Sequence, residues 1–347
     1  QGYHTACIGK WHLGMKWVDG KPGEEKKLPI GAKLTDGPNA LGFDYFYGFT
    51  HARNIGSIIE QEQVVANVKG IENQPLMIAK ALEYIEERSK EKKPFFLYFP
   101  MCPPHSPIVP APDFVGKSGL AGKEGKYADW VYQGDHMLGE ILDALERTGQ
   151  AKNTLVIATG DNGAAKRPYP PLREAKSSIY EGGHREPFVV RWPGKIKPGS
   201  LNHQVICLND LFATCADILG AKLPANAAED SVSILPCLLG TATGPVREAT
   251  VHQAPGGLAL RQGPWKLVSH RSGEQELFNL ESDISETKNV LAANEEVVKR
   301  LASLMQSYID RGRSTPGAVQ KNEFDLSVSF GGKDNKKKRR RKARKQE

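Results

Sequence analysis

A short apolar run, Leu155-Val-Ile-Ala158, is stopped by Gly160 and followed at once by Asp161-Asn162-Gly163. Its β-branched members and abrupt stop predict a buried parallel strand. A second run, Phe95-Phe-Leu-Tyr-Phe99, opens after Pro94 and reads as another buried strand. Between them, Tyr127 to Thr148 carries Val131, Leu138, Ile141, Leu142 and Leu145 at helical spacing, with Gly149 placed to end it. Strand, helix and strand over residues 95–159 predict an α/β sheet. In such sheets ligands bind outside the carboxyl ends of the strands, where Asp161 and Asn162 fall. A carboxylate beside a carboxamide offers the hard oxygens that Ca²⁺ or Mg²⁺ takes. The same residues also make an ordinary turn. What favours a site is Lys176 shortly after, followed by Tyr180-Glu181-Gly182-Gly183. The Gly pair lets backbone approach something closely, with a cation delivered beside it.

Other stretches fit around this one. Met101-Cys-Pro-Pro-His105-Ser-Pro follows the Phe95 run, so His105 rides a Pro-braced loop at a strand's carboxyl end. Gly2-Tyr-His-Thr-Ala-Cys-Ile-Gly-Lys10-Trp-His12-Leu-Gly14 is not a phosphate-binding P-loop, whose glycine spacing and trailing Ser or Thr it lacks. In extended backbone Lys10 and His12, two apart, share a face. Residues 19–70 are rich in Gly, Pro and Lys, and Leu41 to Phe49 is dense in aromatics, which suits a core seam. Leu76 to Lys90 reads as an amphipathic helix with Ile78, Ala81, Leu82 and Ile85 on one stripe. Pro187 to Trp192 predicts a strand and Val205 to Leu219 a helix stopped by Gly220. After a Pro- and Gly-punctuated boundary at 224–246, short strands at 250, 258, 265 and 275 and a helix over Glu296–Ile309 predict a small antiparallel sheet with a packed helix. The predicted division is an α/β domain over 1–245, a small α+β subdomain over 246–320 and a disordered basic tail over 321–347.

Composition narrows the class. The 347 residues are 39% hydrophobic, and no apolar run approaches the ~20 residues of a membrane helix. The net charge of +7 is concentrated: residues 333–347 hold ten Lys or Arg against two acids, which leaves the rest at −1. Without aromatic interleaving or a nucleic-acid module, that tail reads as solvated chain rather than a nucleic-acid site. The five cysteines show no Cys-x-x-Cys pair and no zinc spacing. A chain that opens at Gln1 inside a motif-like stretch is expected to be a fragment whose first part lies upstream.

Taken in order, these stretches resemble the sulfatase family, in the arylsulfatase branch of the alkaline-phosphatase-like superfamily. Gly2 to Gly14 is similar to the family's second signature, Pro104-His105 to its His-bearing loop, and Asp161-Asn162-Gly163 with Lys176-x-x-x-Tyr180-Glu181-Gly182-Gly183 to its later metal- and sulfate-binding stretches. The likeness runs from Gln1 to about residue 315. It implies an α/β sandwich with a central, mostly parallel sheet flanked by helices. It also implies a small C-terminal antiparallel sheet with a packed helix. Asp161 and Asn162 are then expected to bind one divalent ion, Ca²⁺ in the family with Mg²⁺ as the alternative. Lys10 and Lys176 would hold sulfate oxygens, with Lys10, His12 and His105 on the catalytic side. The implied partner is a sulfated small molecule or glycan and the implied setting is periplasmic or secreted. No Cys/Ser-x-Pro/Ala-x-Arg motif, the source of the family's formylglycine nucleophile, occurs in the 347 residues. The nucleophile and an Asp pair are therefore expected upstream, and the chain alone is expected to be inactive. Two other readings stay open here: a sulfated-ligand-binding fragment without catalysis, and a phosphate mono- or diester hydrolase of the same superfamily.

Overall fold

The computed structural model describes residues 1–19, 27–167, 169–323 and 328. The chain divides into two compact units, Gln1–Thr154 and Leu155–Glu347. The basic stretch 333–347 lies outside the described residues.

The first unit is built on β1 (His4–Lys10), whose Ala6, Cys7 and Ile8 are fully buried. Such two-sided burial marks a central strand. A small ribbon, β2 (Lys16–Trp17) and β3 (Leu34–Asp36), follows. Next come β4 (Tyr45–Phe49), β5 (Ser57–Glu60) and β6 (Gln63–Asn67), then helix α1 (Gly70–Ser89), β7 (Phe95–Tyr98) and helix α2 (Gly122–Arg147). The strand order is β6-β5-β4-β1-β7, with β1 parallel to both β4 and β7 and the β4–β5 and β5–β6 pairs antiparallel. The aromatic stretch is indeed a core seam: Phe46 and Phe49 on β4 are fully buried. Phe46 packs with Cys7, Trp11 and Ile59, while Phe49 packs with Met77, Cys102 and Trp130. Helix α1 starts six residues earlier than Leu76. The Glu72 carboxylate accepts the Lys69 N–H at 2.7 Å and caps the start, and the helix runs on through Pro75, which has no N–H to give to the carbonyl four residues back.

In the second unit β8 (Val156–Thr159) pairs with β9 (Phe188–Arg191). This pairing is antiparallel, from Val156 opposite Arg191 to Thr159 opposite Phe188. The parallel strand expected at Leu155 is thus corrected: the excursion 160–187 brings the chain back beside its own start, and β7 and β8 belong to different sheets. Helix α3 (Asp210–Ile218) begins later than Val205. Its first residue, Asp210, is fully buried and accepts from Cys207 N and Val232 N, with Arg247 bound at 2.8 Å. The short helix α4 (Leu235–Leu238) follows. Then β10 (Thr250–Ala254), β11 (Gly257–Gln262), β12 (Trp265–His270) and β13 (Gln275–Asn279) form an antiparallel meander, and helix α5 (Glu295–Arg311) ends on Gly312 in the left-handed region. One face of this sheet, Leu260, Leu267 and Leu277, packs on Leu301, Met305 and Tyr308 of α5. The other, Ala259, Val268 and Phe278, receives Ile179 and Tyr180. The α/β class and the separate antiparallel sheet with its packed helix are as the sequence predicts, although the central sheet is mixed.

Candidate functional site

In the first unit Lys10, His12 and His105 come to one edge. Because β1, β4 and β7 are parallel, the segments after Lys10, Phe49 and Tyr98 leave the sheet at the same end. Gly9 makes their approach possible: a Cβ there would lie 2.4 Å from Pro100 O, and Gly9 has φ +136°. Lys10 N–H donates to Pro100 O at 2.8 Å, and Trp11 N–H donates to Phe49 O at 2.8 Å. The strand ends at Lys10, yet side chains keep alternating. Lys10 is half-buried, Trp11 is buried with its indole N–H on Gly14 O, and His12 is exposed. The charge of Lys10 reaches Cys102, although burial dominates and pushes that thiol up to about 12. His105 is held by two hydrogen bonds, one of them to Cys102, which is itself fixed. Its N–H donates to Cys102 O, its carbonyl accepts the Trp130 indole N–H at 2.9 Å, and Gln74 accepts Cys102 N–H at 3.2 Å.

Sequence reading missed His51. It follows β4, and its ring lies 5.4 Å from that of His12. The signal was available: a His two residues past the end of an aromatic strand, in register with Lys10 through the Lys10–Phe49 pair. The cavity of about 380 Å³ in this unit lies elsewhere, at the amino ends of β1 and β4, lined by His4, Asp44, Glu60, Lys80 and Arg88. Its basic side chains are engaged, His4 and Arg88 with Glu91 and Lys80 with Glu83.

In the second unit Asp161, Asn162 and Lys176 sit on the excursion between β8 and β9. Gly163 N–H donates to Gly183 O at 3.0 Å, and Lys176 N–H donates to Ala164 O at 3.3 Å. The Gly pair is needed: a Cβ on Gly163 would lie 2.0 Å from Gly182 O, one on Gly182 2.3 Å from Glu174 O, and one on Gly183 2.2 Å from Ser178 O. Lys176 and Asp161 are both exposed. A second missed residue, Glu186, closes over Gly160, where its Oε2 would meet an added Cβ at 2.2 Å. Burial and then the neighbouring Asp161 charge push the Glu186 carboxyl up. Two like charges beside a carboxamide make a hard-oxygen donor set that fits a divalent cation such as Ca²⁺ or Mg²⁺ rather than a soft metal. It is a partial shell, since Ca²⁺ takes about six to eight oxygens. Among the described residues no group of three or more His, Cys, Asp and Glu side chains completes one. All five cysteines are unpaired.

The Tyr180-Glu181-Gly182-Gly183 turn is anchored from below. Glu181 is 1% exposed and pairs with Lys266 at 3.0 Å, with Arg261 and Arg185 each at 3.3 Å. Burial alone would raise its pKa, but Lys266, His184 and Arg261 outweigh burial and bring it down to about 2. Tyr180 donates its hydroxyl to Glu276 and lies under the Arg173 guanidinium, 3.5 Å from the ring centroid.

Comparisons with known proteins bear on the family. Residues 1–221 match the sulfatase family model, and 175–311 match the model for the C-terminal part of N-sulphoglucosamine sulphohydrolase. The chain belongs to the sulfatase family, whose members are sulfuric ester hydrolases. It is similar to an N-acetylgalactosamine-6-O-sulfatase of Bacteroides thetaiotaomicron, at 28% identity over 88% of this chain and 74% of that protein. The rat N-acetylgalactosamine-6-sulfatase is 29% identical over 69% of this chain. The match covers 46% of the rat protein, so the chain spans about half the length of that relative. A solved Bacteroides thetaiotaomicron structure, from work on its metabolism of glycosaminoglycans, superposes with a TM-score of 0.77 at 28% identity, covering 88% of this chain and 79% of that one.

Proposed function

We propose that this chain carries the cation- and sulfate-binding part of an enzyme that hydrolyses sulfate esters of carbohydrates. The observation that carries the reading is the Asp161-Asn162 turn, held at the end of β8 by the Gly163 N–H to Gly183 O bond in a chain of the sulfatase family. The names of the relatives support an amino-sugar 6-sulfate as the substrate class.

In this reading Asp161 and Asn162 hold the divalent ion, with Glu186 adding negative potential beside them. A bound cation would neutralise sulfuryl oxygens as charge moves onto the leaving oxygen. Lys176 in the second unit and Lys10 in the first are each suited to bind a sulfate oxygen, a fixed charge in place of water dipoles. His105, braced at its carbonyl by Trp130, is suited to deliver a proton to the departing alcohol. His12 serves the nucleophile side, with the His51 ring 5.4 Å from its own. The nucleophile motif is not among these residues, so the chain alone is proposed to bind without turnover. The test is to give the protein expressed from its native gene equal concentrations of an aryl sulfate and the matching aryl phosphate, with and without Ca²⁺. Preferential, Ca²⁺-dependent cleavage of the sulfate is expected; preferential cleavage of the phosphate would replace this reading with a phosphoesterase.

A further inference from the structure

Lys266 lies in the middle of β12, is 0% exposed, and shares its sheet face with Val268 and Ala259. An apolar side chain would satisfy that face without desolvating a charge. A buried ion pair contributes little net stability compared with an apolar replacement, and its best-attested use is to fix one arrangement. Here the arrangement is specific. The Lys266 ammonium sits 3.0 Å from Glu181 Oε1 and 2.8 Å from Glu286 Oε1, and Glu286 is itself fully buried. Glu286 Oε2 accepts the backbone N–H of Glu181 at 2.6 Å. Side chain and backbone of Glu181 are therefore held by one Lys–Glu unit, Lys266 on β12 and Glu286 in the loop that follows β13. The next residues carry the constraint onward. Gly182 N–H donates to Arg173 O at 2.9 Å, and Gly183 O accepts from Gly163 N–H at 3.0 Å, one residue past Asn162. Arg173 in turn donates to Glu286 O at 2.8 Å, which closes the circuit.

We propose that Lys266 is a positioning residue for the Asp161-Asn162 turn, acting through Glu181, Glu286 and the Gly182-Gly183 backbone. The small C-terminal sheet thereby sets the geometry of the cation site. The positional part stands on the hydrogen bonds alone, while its consequence for the cation rests on the reading of Asp161 and Asn162 as ligands.

The experiment uses the full chain as wild type, Lys266→Met, Lys266→Arg and a control, Leu267→Ala. The control weakens the opposite face of the same strand, where Leu267 packs on α5. Backbone amide exchange is followed in peptides spanning 160–165 and 180–185, and Ca²⁺ affinity is measured by calorimetry. Lys266→Met is expected to speed exchange in both peptides by at least about tenfold, the signature of local opening. It is also expected to weaken Ca²⁺ binding by at least about tenfold, the lower end for loss of an outer-shell partner. Leu267→Ala, at an equal or larger drop in unfolding midpoint, should leave both readouts within about twofold, and Lys266→Arg should restore most of each. If Lys266→Met does not fold, Glu286→Gln is read at the same amides with the same expectation. Unchanged exchange at 160–165 in a folded Lys266 or Glu286 variant would overturn the proposal, as would an equal effect of Leu267→Ala. A wild-type chain that takes no Ca²⁺ while Lys266→Met opens 160–165 would uphold the positioning role and count against the cation reading instead.

Discussion

His184 and His252 stack with centroids 3.7 Å apart, close above the Glu181–Lys266 pair. Burial, then the Lys266 charge, pushes His184 down to about 4. Burial, then His184 itself, pushes His252 down to about 3. In the unfolded chain both return to the ordinary histidine value near 6.5. As pH falls through 6.5 the unfolded state therefore takes up protons that the folded state refuses, and stability declines, through His184 until about pH 4 and through His252 until about pH 3. The slope is about 1.4 kcal/mol per pH unit for each histidine. Glu181 works in the same direction lower down: its depressed pKa stabilises above 4.5, and that contribution is lost as pH falls from 4.5 toward 2. Urea unfolding midpoints measured from pH 7.5 to 4 should fall steadily, and His252→Phe should remove about one proton from the slope. A flat profile between 6.5 and 4.5 would show that the pair is not held neutral. At the same scale, Asp161→Ala should weaken Ca²⁺ binding at least about tenfold by calorimetry, since charge count tunes such sites, while leaving the unfolding midpoint without Ca²⁺ nearly unchanged because Asp161 is exposed.

Glycines separate the elements that hold the site from those that only carry it. Gly163→Ala sets a methyl 2.0 Å from Gly182 O, backbone against backbone, and should destabilise by about 1–3 kcal/mol in thermal or urea unfolding. Gly139→Ala, in the middle of α2 with open space around it, should instead stabilise by up to about 1 kcal/mol. The contrast follows the limits of what the sequence revealed. Periodicity was enough for α2 and α5, which bury one apolar stripe, and turn residues between short apolar pieces were enough for the four strands of the small sheet, which is packed on both faces. Periodicity could not give β5 and β6, whose pairing depends on β4 lying beside them, nor the antiparallel pairing of β8 with the predicted strand β9, which is set by where the 160–187 excursion ends. The candidate residues Lys10, His12, His105, Asp161, Asn162 and Lys176 were visible as motifs. Glu186 was not, since nothing local to it says that a carboxylate closes over Gly160; His51 left a signal in its place just past the aromatic strand, but only the fold shows its ring 5.4 Å from that of His12. Lys266 was legible only as a strand residue, because its partners Glu181 and Glu286 are remote along the chain and join it only in the fold.

Across the molecule, charge and chemistry are segregated. The tail 333–347 carries a net +8, from ten basic and two acidic residues, against −1 for everything before it, and none of the candidate residues lies within it. Removing 333–347 should leave hydrolysis by the protein from its native gene within about twofold, the range of surface changes remote from a site; a large loss would make the tail part of substrate capture. Among the described residues no helix is long and apolar enough to cross a membrane. The central claim is that a family-defined cation turn in this chain serves sulfate-ester cleavage. Its most direct measurement is sulfate released from N-acetylgalactosamine 6-sulfate by the protein from its native gene, titrated with Ca²⁺ after chelation, in wild type and Asp161→Ala. The account predicts release that rises with Ca²⁺ in the wild type and is lost in Asp161→Ala. Release that ignores both chelation and the substitution would contradict it.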